Sequence, residues 1–227
     1  MKRPIVVFDL DGTLVDTASD LLASLNHCLG IAGLAHAEPA QLRSFVGMGG
    51  RVMIERAFAA QQKSLSPTTL DKLQAAFLDH YGGNIPGLSQ PYPGAVAAVE
   101  RFAEAGYAAA VCTNKFEGLS KSLIDALGLS SHFSAICGQD TFAFRKPDPR
   151  HLLETIALAG CDPERAIMIG DSRTDIDTAK AAGIPVVAVD FGYTDRHVRE
   201  FEPSRIISHF DELTVAMTDD LLRAVAN

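Results

Sequence analysis

Two aspartates one residue apart, Asp9 and Asp11, follow directly on an apolar run in the stretch PIVVFDLDGTLVDT, residues 4–17. Burying a carboxylate without a partner is costly, so a chain that ends a buried strand in two like charges must supply counter-charges elsewhere. Three later stretches carry polar groups of the right kind. Thr113-Asn114-Lys115 follows an apolar run ending at Cys112, Lys146 opens KPDP (146–149), and GDSRTD (170–175) contains Asp171 and Asp175. Side chains alternate along a strand, so Asp9 and Asp11 can project toward one region if the extended geometry persists. Gly12 permits a tight turn beside them. With Asp171 they make a hard, oxygen-rich pocket, and Mg²⁺ is the expected occupant, keeping several waters and using a substrate phosphate to fill its shell. Thr113 offers a hydroxyl, Asn114 an amide and Lys146 a positive charge. Such groups hold phosphate oxygens while a metal neutralises the charge that develops in phosphoryl transfer.

The elements that must position these residues are visible in the hydrophobic pattern. Residues 4–9 are β-branched and aromatic and read as a buried strand. Similar runs lie at 107–112, 134–137, 166–170 and 185–189, with a weaker one at 205–208. Helical spacing lies between them at 95–106, 119–128 and 175–183, each ending in a glycine suited to terminate a helix. Strand, helix, strand with short connections predicts a parallel, doubly wound, Rossmann-like α/β sheet. Ligands bind such sheets beyond the carboxyl ends of the strands, where all four polar stretches fall. Residues 16–84 break the alternation. Amphipathic segments at 18–32, 41–46, 51–64 and 67–81 predict a helical insert, and the turn-rich 82–94 returns the chain to the sheet. The expected organisation is an α/β core of 1–15 and 85–227 with a helical domain of 16–84 inserted into it.

The bulk composition narrows the partners. With 227 residues, 47% of them apolar, the chain can bury a substantial core. A formal charge of −8 without a block of Lys or Arg argues against a nucleic-acid partner or an anionic membrane surface. It leaves a small anionic substrate open, because a metal and one or two cations can invert the local field. The four cysteines have no zinc-like spacing; Cys112 and Cys137 sit in apolar runs and read as small buried residues. Asp9 and Asp11 interrupt the apolar start too early for a signal peptide, no run has the length of a membrane span, and a cytoplasmic location is expected. Oligomeric state is not written in the sequence.

The four stretches, DLDGT (9–13), Thr113, Lys146 in KPDP and GDSRTD, resemble the motifs of the haloacid-dehalogenase-like phosphatase superfamily. They occur in that family's order and span most of the core, and the helical insert sits where the family carries a helical cap. The resemblance implies a covalent mechanism. Asp9 is the implied nucleophile, forming an aspartyl-phosphate, and Asp11 the acid that protonates the leaving oxygen and then helps activate water. Asp9, the backbone carbonyl of Asp11, and Asp171 are the implied metal ligands, with Asp175 a nearby or occasional contact. Lys146 offsets charge on the nucleophile and phosphate. Haloacid dehalogenases usually lack the second aspartate, so Asp11 favours phosphoryl chemistry.

Within the superfamily, FVGMGGRVMIERAF (45–58) resembles the cap segment of phosphoglycolate phosphatases, as do CTNKFEGLSKSLIDALGL (112–129) and FGY (191–193). Gly47, Gly49 and Gly50 would let backbone N–H groups approach a small anion, and Arg51 would pair with a substrate carboxylate. Hydrolysis of 2-phosphoglycolate is therefore the expected activity. A sugar phosphate, a nucleotide or pyrophosphate remains an alternative substrate, and an idle, phosphate-binding regulatory protein an alternative class. Simpler roles stand beside several assignments: Thr113 and Asn114 as caps of the following helix, Ser172 as a cap, Asp175 as an exposed dipole partner, and Arg51 as a solvated side chain.

Overall fold

The computed structural model describes residues 3–41, 49–194 and 196–226. Strand β1 (Ile5–Phe8) is completely buried. Its side chains divide by the two-residue period of a strand: Val6 and Phe8 enter the core layer on one face of the sheet, Ile5 and Val7 the layer on the other. Both faces must therefore be covered, and β1 is flanked on both sides. It pairs in parallel with β4 (Ala108–Cys112) and with β6 (Ala166–Gly170). Beyond β4 lies β5 (Ala135–Cys137), and beyond β6 lie β7 (Val186–Val189) and β8 (Arg205–Ile207). The sheet order is β5-β4-β1-β6-β7-β8, the doubly wound arrangement expected. From β1 the chain builds outward through β4 to β5, then crosses back to β6. That reversal puts the switch point, where such sheets bind ligands, at the carboxyl end of β1.

Helices α4 (Ala95–Glu104), α5 (Glu117–Ala126) and α7 (Arg173–Ala181) occupy the expected helical stretches. The glycines past their ends, Gly106, Gly128 and Gly183, adopt positive φ, the conformation that closes a helix at least cost. Two further helices had no counterpart in the sequence analysis. Helix α6 (Pro149–Leu158) starts from the Asp148 side chain, which accepts from the backbone N–H of Arg150, with Pro149 in the first turn. Helix α8 (Val215–Ala226) follows β8.

The insert consists of α1 (Ala18–Ile31), α2 (Gly50–Ala60) and α3 (Pro67–Gly83). Its apolar stripes make a separate core from Leu25, Leu29, Ile54, Phe58, Leu73 and Phe77, joined by Tyr193 from the α/β domain. The expected segment at 41–46 lies, apart from Gln41, outside the described residues. The chain enters the insert through β2 (Val15–Asp16) and leaves it through β3 (Gln90–Pro91), and these two short strands pair antiparallel. The four cysteines are buried and free. Among the described residues no helix is long and apolar enough to cross a membrane.

Candidate active site

The carboxyl ends of β1, β4 and β6, with the loop after β5 that carries Lys146, bring most of the sequence-predicted residues into one place. Asp9 continues β1, its amide donating to the Ile169 carbonyl of β6 at 2.9 Å. Its Oδ1 accepts from the Leu10 amide at 2.7 Å and pairs with the Lys146 ammonium at 3.0 Å. Gly12 turns the chain at φ +83°, and a Cβ there would stand 2.6 Å from Asp171 Oδ2 and 2.9 Å from the Tyr193 ring. Only glycine lets this turn lie against the acid. Thr13 Oγ1 donates to Asp171 Oδ1 at 2.9 Å, and the Tyr193 amide donates to Asp171 Oδ2 at 2.7 Å. Both oxygens of Asp171 are thus aimed by the two loops beside it.

Asp175 is completely buried rather than an exposed dipole partner. Its Oδ1 accepts from Lys146 at 2.6 Å, and its Oδ2 accepts from the amide and hydroxyl of Ser172 at 3.1 and 2.6 Å. Ser172 and Asp175 form a capping box at the start of α7, so Ser172 has the capping role. Thr113 and Asn114 do not cap α5, which begins from Phe116 without a side-chain cap. Instead Thr113 Oγ1 accepts from the Lys115 amide, and the Asn114 amide donates to the Lys146 carbonyl at 3.1 Å, tying the loop after β4 to the loop that carries the lysine. His151, buried beneath, accepts from the Lys146 amide at 3.2 Å.

Carboxylate oxygens of Asp9, Asp171 and Asp175 lie within 4.8 Å of one another. Burial pushes the Asp9 carboxyl up to about 7, against the pull of Lys146 and with Asp175 adding to the rise. Burial, with Asp175 and Asp9 beside it, also raises Asp171 well above the ordinary carboxylate range. For Lys146 burial opposes the charge, but Asp175 and Asp9 outweigh it and its pKa is raised. One ammonium against three carboxylates leaves two negative charges when all are ionised. An all-oxygen donor set with that excess can hold a hard divalent cation.

Asp11 stands apart from this cluster. Both of its oxygens accept from Lys115 Nζ, at 3.0 and 3.1 Å. Lys115 in turn sits over the ring of Tyr81, 3.9 Å from its centroid, so a charge of the α/β domain rests on an aromatic side chain of the insert. Between the two domains is a cavity of about 50 Å³, lined by Asp9, Asp11, Thr113, Asn114 and Lys115 on one side and by Leu21, Gly49, Gly50, Met53, Phe77 and Tyr81 on the other. Gly49 and Gly50 allow the approach. A Cβ on Gly49 would lie 3.3 Å from the Asn114 carbonyl oxygen, and one on Gly50 would lie 2.9 Å from the Phe77 ring. Gly47 lies outside the described residues.

Arg51 is not brought into this cavity. Its Nη1 donates to Asp71 Oδ1 at 2.7 Å and to Gln74 Oε1 at 2.8 Å, and its side chain is 40% exposed. Successive helical residues are rotated about 100° from one another, so with Gly50 and Met53 turned inward on α2, Arg51 faces α3. Among the described residues that line the cavity the cation is Lys115, two residues past Thr113 in the TNK stretch and assigned no role from sequence. Tyr81 and Tyr193 were likewise assigned no role, although Tyr193 closes the FGY stretch. The Tyr193 hydroxyl accepts from the amides of Thr17 and Ala18 at 2.7 and 2.8 Å and donates to Asp16.

The model of the haloacid dehalogenase-like hydrolase family matches residues 6–189, from β1 through β7 and across the insert. The chain belongs to that family. Among curated relatives of this hydrolase, a phosphoglycolate phosphatase of Mesorhizobium japonicum is 67% identical over the full length of both chains. One of Agrobacterium fabrum is 49% identical over 96% of this chain and 94% of its own. Among solved structures, one named as a predicted phosphoglycolate phosphatase from Haemophilus somnus superposes with a TM-score of 0.86 at 28% identity, covering 94% of this hydrolase and 97% of that chain. The resemblance on which the sequence analysis drew is therefore borne out over the whole chain, insert included.

Proposed function

We propose that this hydrolase converts 2-phosphoglycolate to glycolate and phosphate, with Mg²⁺ as its metal. The observation that carries the reading is the buried set of Asp9, Asp171, Asp175 and Lys146, whose Asp9 lines, together with Asp11, a small cavity that the insert closes. The donor set fits Mg²⁺: its ligands are hard oxygens, it holds excess negative charge, and burial raises two of its carboxyls even though Lys146 pairs with one of them. Asp9, Asp171 and the backbone carbonyl of Asp11 would hold the ion, with Asp175 beside them; when bound it supplies positive charge to the phosphoryl oxygens.

The side chains divide the remaining work. Asp9 is the nucleophile, forming a carboxylate–phosphorus bond as the bond from phosphorus to the leaving oxygen breaks. Asp11 gives its proton to that oxygen, then takes one from the water that attacks the aspartyl-phosphate and releases inorganic phosphate. Lys146, held by Asp175, keeps positive charge against the nucleophile and phosphate. Thr113 and Asn114 present polar groups to the phosphate oxygens, and Gly12 leaves space for them. A cavity of about 50 Å³ has room for only one or two waters, so substrate entry requires the insert to swing on the segments 14–17 and 82–90, and the space it closes over suits a short substrate. The name shared by these two relatives supports the same substrate.

The test is phosphate release with Mg²⁺ from 2-phosphoglycolate beside a panel of sugar phosphates, nucleotides and pyrophosphate. The expected result is a kcat/KM for 2-phosphoglycolate well above the rest. A preference for another ester would overturn the substrate and leave the phosphatase chemistry. A protein that turns over none of them but binds phosphate would overturn the enzymatic reading.

A further inference from the structure

We propose that Lys115 is the specificity-determining residue of this site: it recognises a carboxylate on the leaving group, exchanging Asp11 for that carboxylate as its ion-pair partner. The inference rests on the proposed substrate and names the residue that selects it.

Position is the first argument. If Asp11 delivers a proton to the leaving oxygen, that oxygen must sit beside the Asp11 carboxyl. Lys115 Nζ is already within 3.1 Å of both Asp11 oxygens. A charged group one or two bonds beyond the leaving oxygen therefore falls within reach of the same ammonium. In 2-phosphoglycolate the carboxylate carbon is two bonds from that oxygen.

Charge is the second. Lys115 is the cation among the described residues lining the cavity. Lys146 is committed to Asp9 and Asp175, and Arg51 is committed to Asp71 and Gln74 of α3. A dianionic phosphate ester with a third negative charge needs a counter-charge at its far end, and among the described residues lining the cavity Lys115 is the one that supplies it.

The surroundings are the third. The Lys115 side chain is 5% exposed, and Leu21, Met53, Phe77 and Leu119 line the same cavity. In such a wall an ammonium discriminates strongly between a carboxylate and a methyl group, because an unmatched charge there has little water to turn to. The Asp11 pair satisfies Lys115 in the absence of substrate. On exchange, the lysine keeps one anionic partner, and the Asp11 carboxyl, no longer held as an ion-pair partner, is freed to carry the proton that it gives to the leaving oxygen. The Tyr81 ring holds the ammonium from the insert side, so the anchor is complete only when the insert is closed.

The experiment compares Lys115→Met and Lys115→Arg with wild type on two esters of equal length, 2-phosphoglycolate and ethyl phosphate, in which a methyl group replaces the carboxylate. In Lys115→Met, kcat/KM for 2-phosphoglycolate should fall about a hundredfold, as for truncating one partner of a buried charge pair, at least about tenfold more than that for ethyl phosphate. Lys115→Arg should retain most of the wild-type preference, which also guards against a folding defect in the methionine variant. If both esters lose activity by the same factor, Lys115 only braces Asp11 and the inference is overturned. It is overturned alone if the wild type prefers 2-phosphoglycolate and Lys115→Met keeps that preference. A wild type that prefers ethyl phosphate overturns the proposed substrate itself, whatever the variants do.

Discussion

Replacing Asp9 by Asn should stabilise the metal-free protein above neutral pH while abolishing turnover. Asn keeps the shape of the side chain and an oxygen able to accept from the Leu10 amide, and removes the charge. In the folded chain the Asp9 carboxyl sits at about 7, against an ordinary value of 3.8. Between those two values the folded state holds a proton that the unfolded chain has lost. The Asp9 contribution to stability is therefore full at low pH, declines as pH rises from about 4 to about 7, and is flat above that. A gap of about three units at about 1.36 kcal/mol each sets a ceiling of about 4 kcal/mol on the cost of the ionised group. For a chain of this length about 2–4 kcal/mol corresponds to a rise in Tm of roughly 5–10 °C. The assay is thermal unfolding of wild type and Asp9→Asn from pH 4 to 8 in a chelator, reading the difference between the two so that other titrating groups cancel. The variant should melt higher at pH 8, and the gap should shrink toward pH 4. Adding Mg²⁺ should raise the wild type more than the variant, because the cation needs the charge that was removed. If the variant melts lower at pH 8 in chelator, or the gap does not change with pH, the cluster does not carry the electrostatic cost argued here.

Three further substitutions probe the neighbourhood. Lys146→Met leaves buried Asp175 and Asp9 without their shared cation; it should abolish turnover and, in chelator at pH 8, cost about 3–5 kcal/mol, measured by denaturant unfolding. Gly12→Ala places a Cβ at a left-handed turn against Asp171 and should cost about 1–3 kcal/mol together with a weakened response of Tm to Mg²⁺. Arg51→Ala removes a half-exposed pair with Asp71 worth about 0–1 kcal/mol; steady-state kinetics on 2-phosphoglycolate should stay within threefold of wild type in kcat/KM, and a large rise in KM would show that Arg51 turns inward to meet substrate.

The sheet and its polar edge were legible because each signal is local. The β-branched run 4–9 ends at its aspartate, and the glycines at 106, 128 and 183 mark helix ends within a residue or two. The convergence of Asp9, Thr113, Lys146 and Asp171 followed once the strands were taken as parallel, since every such strand delivers its carboxyl end to the same edge. Other features depended on facts that no short stretch contains. The direction of Arg51 is set by the rotation of α2 and by Asp71, twenty residues away on α3. The burial of Asp175 follows from Lys146 reaching it across the site, which its position on a first helical turn does not reveal. Lys115 was visible as a residue, but its partners come from the loop after β1 and from the last turn of α3, and only the closed arrangement of insert on sheet brings them together. Helix α6 did have a signal, the Asp148-Pro149 start, which was absorbed into the KPDP motif.

The two short strands at the neck of the insert have a consequence for how this enzyme class can change. Val15 faces Pro91 and Asp16 faces Gln90, so the chain leaves the sheet and returns to it only one ladder spacing apart, about 5 Å. Some seventy residues are spliced in at what is geometrically a hairpin. Closing a longer or shorter excursion between such adjacent ends alters the chain entropy only logarithmically, and β1 and β4 need not move to accommodate it. The insert is therefore interchangeable in a way the sheet is not: its walls can be remodelled or resized to admit a different leaving group while the aspartates and lysine beneath stay in register. Lys115 and Tyr193 are exceptions, because each belongs to the sheet side and meets the insert. A change of substrate in this lineage would have to negotiate those contacts.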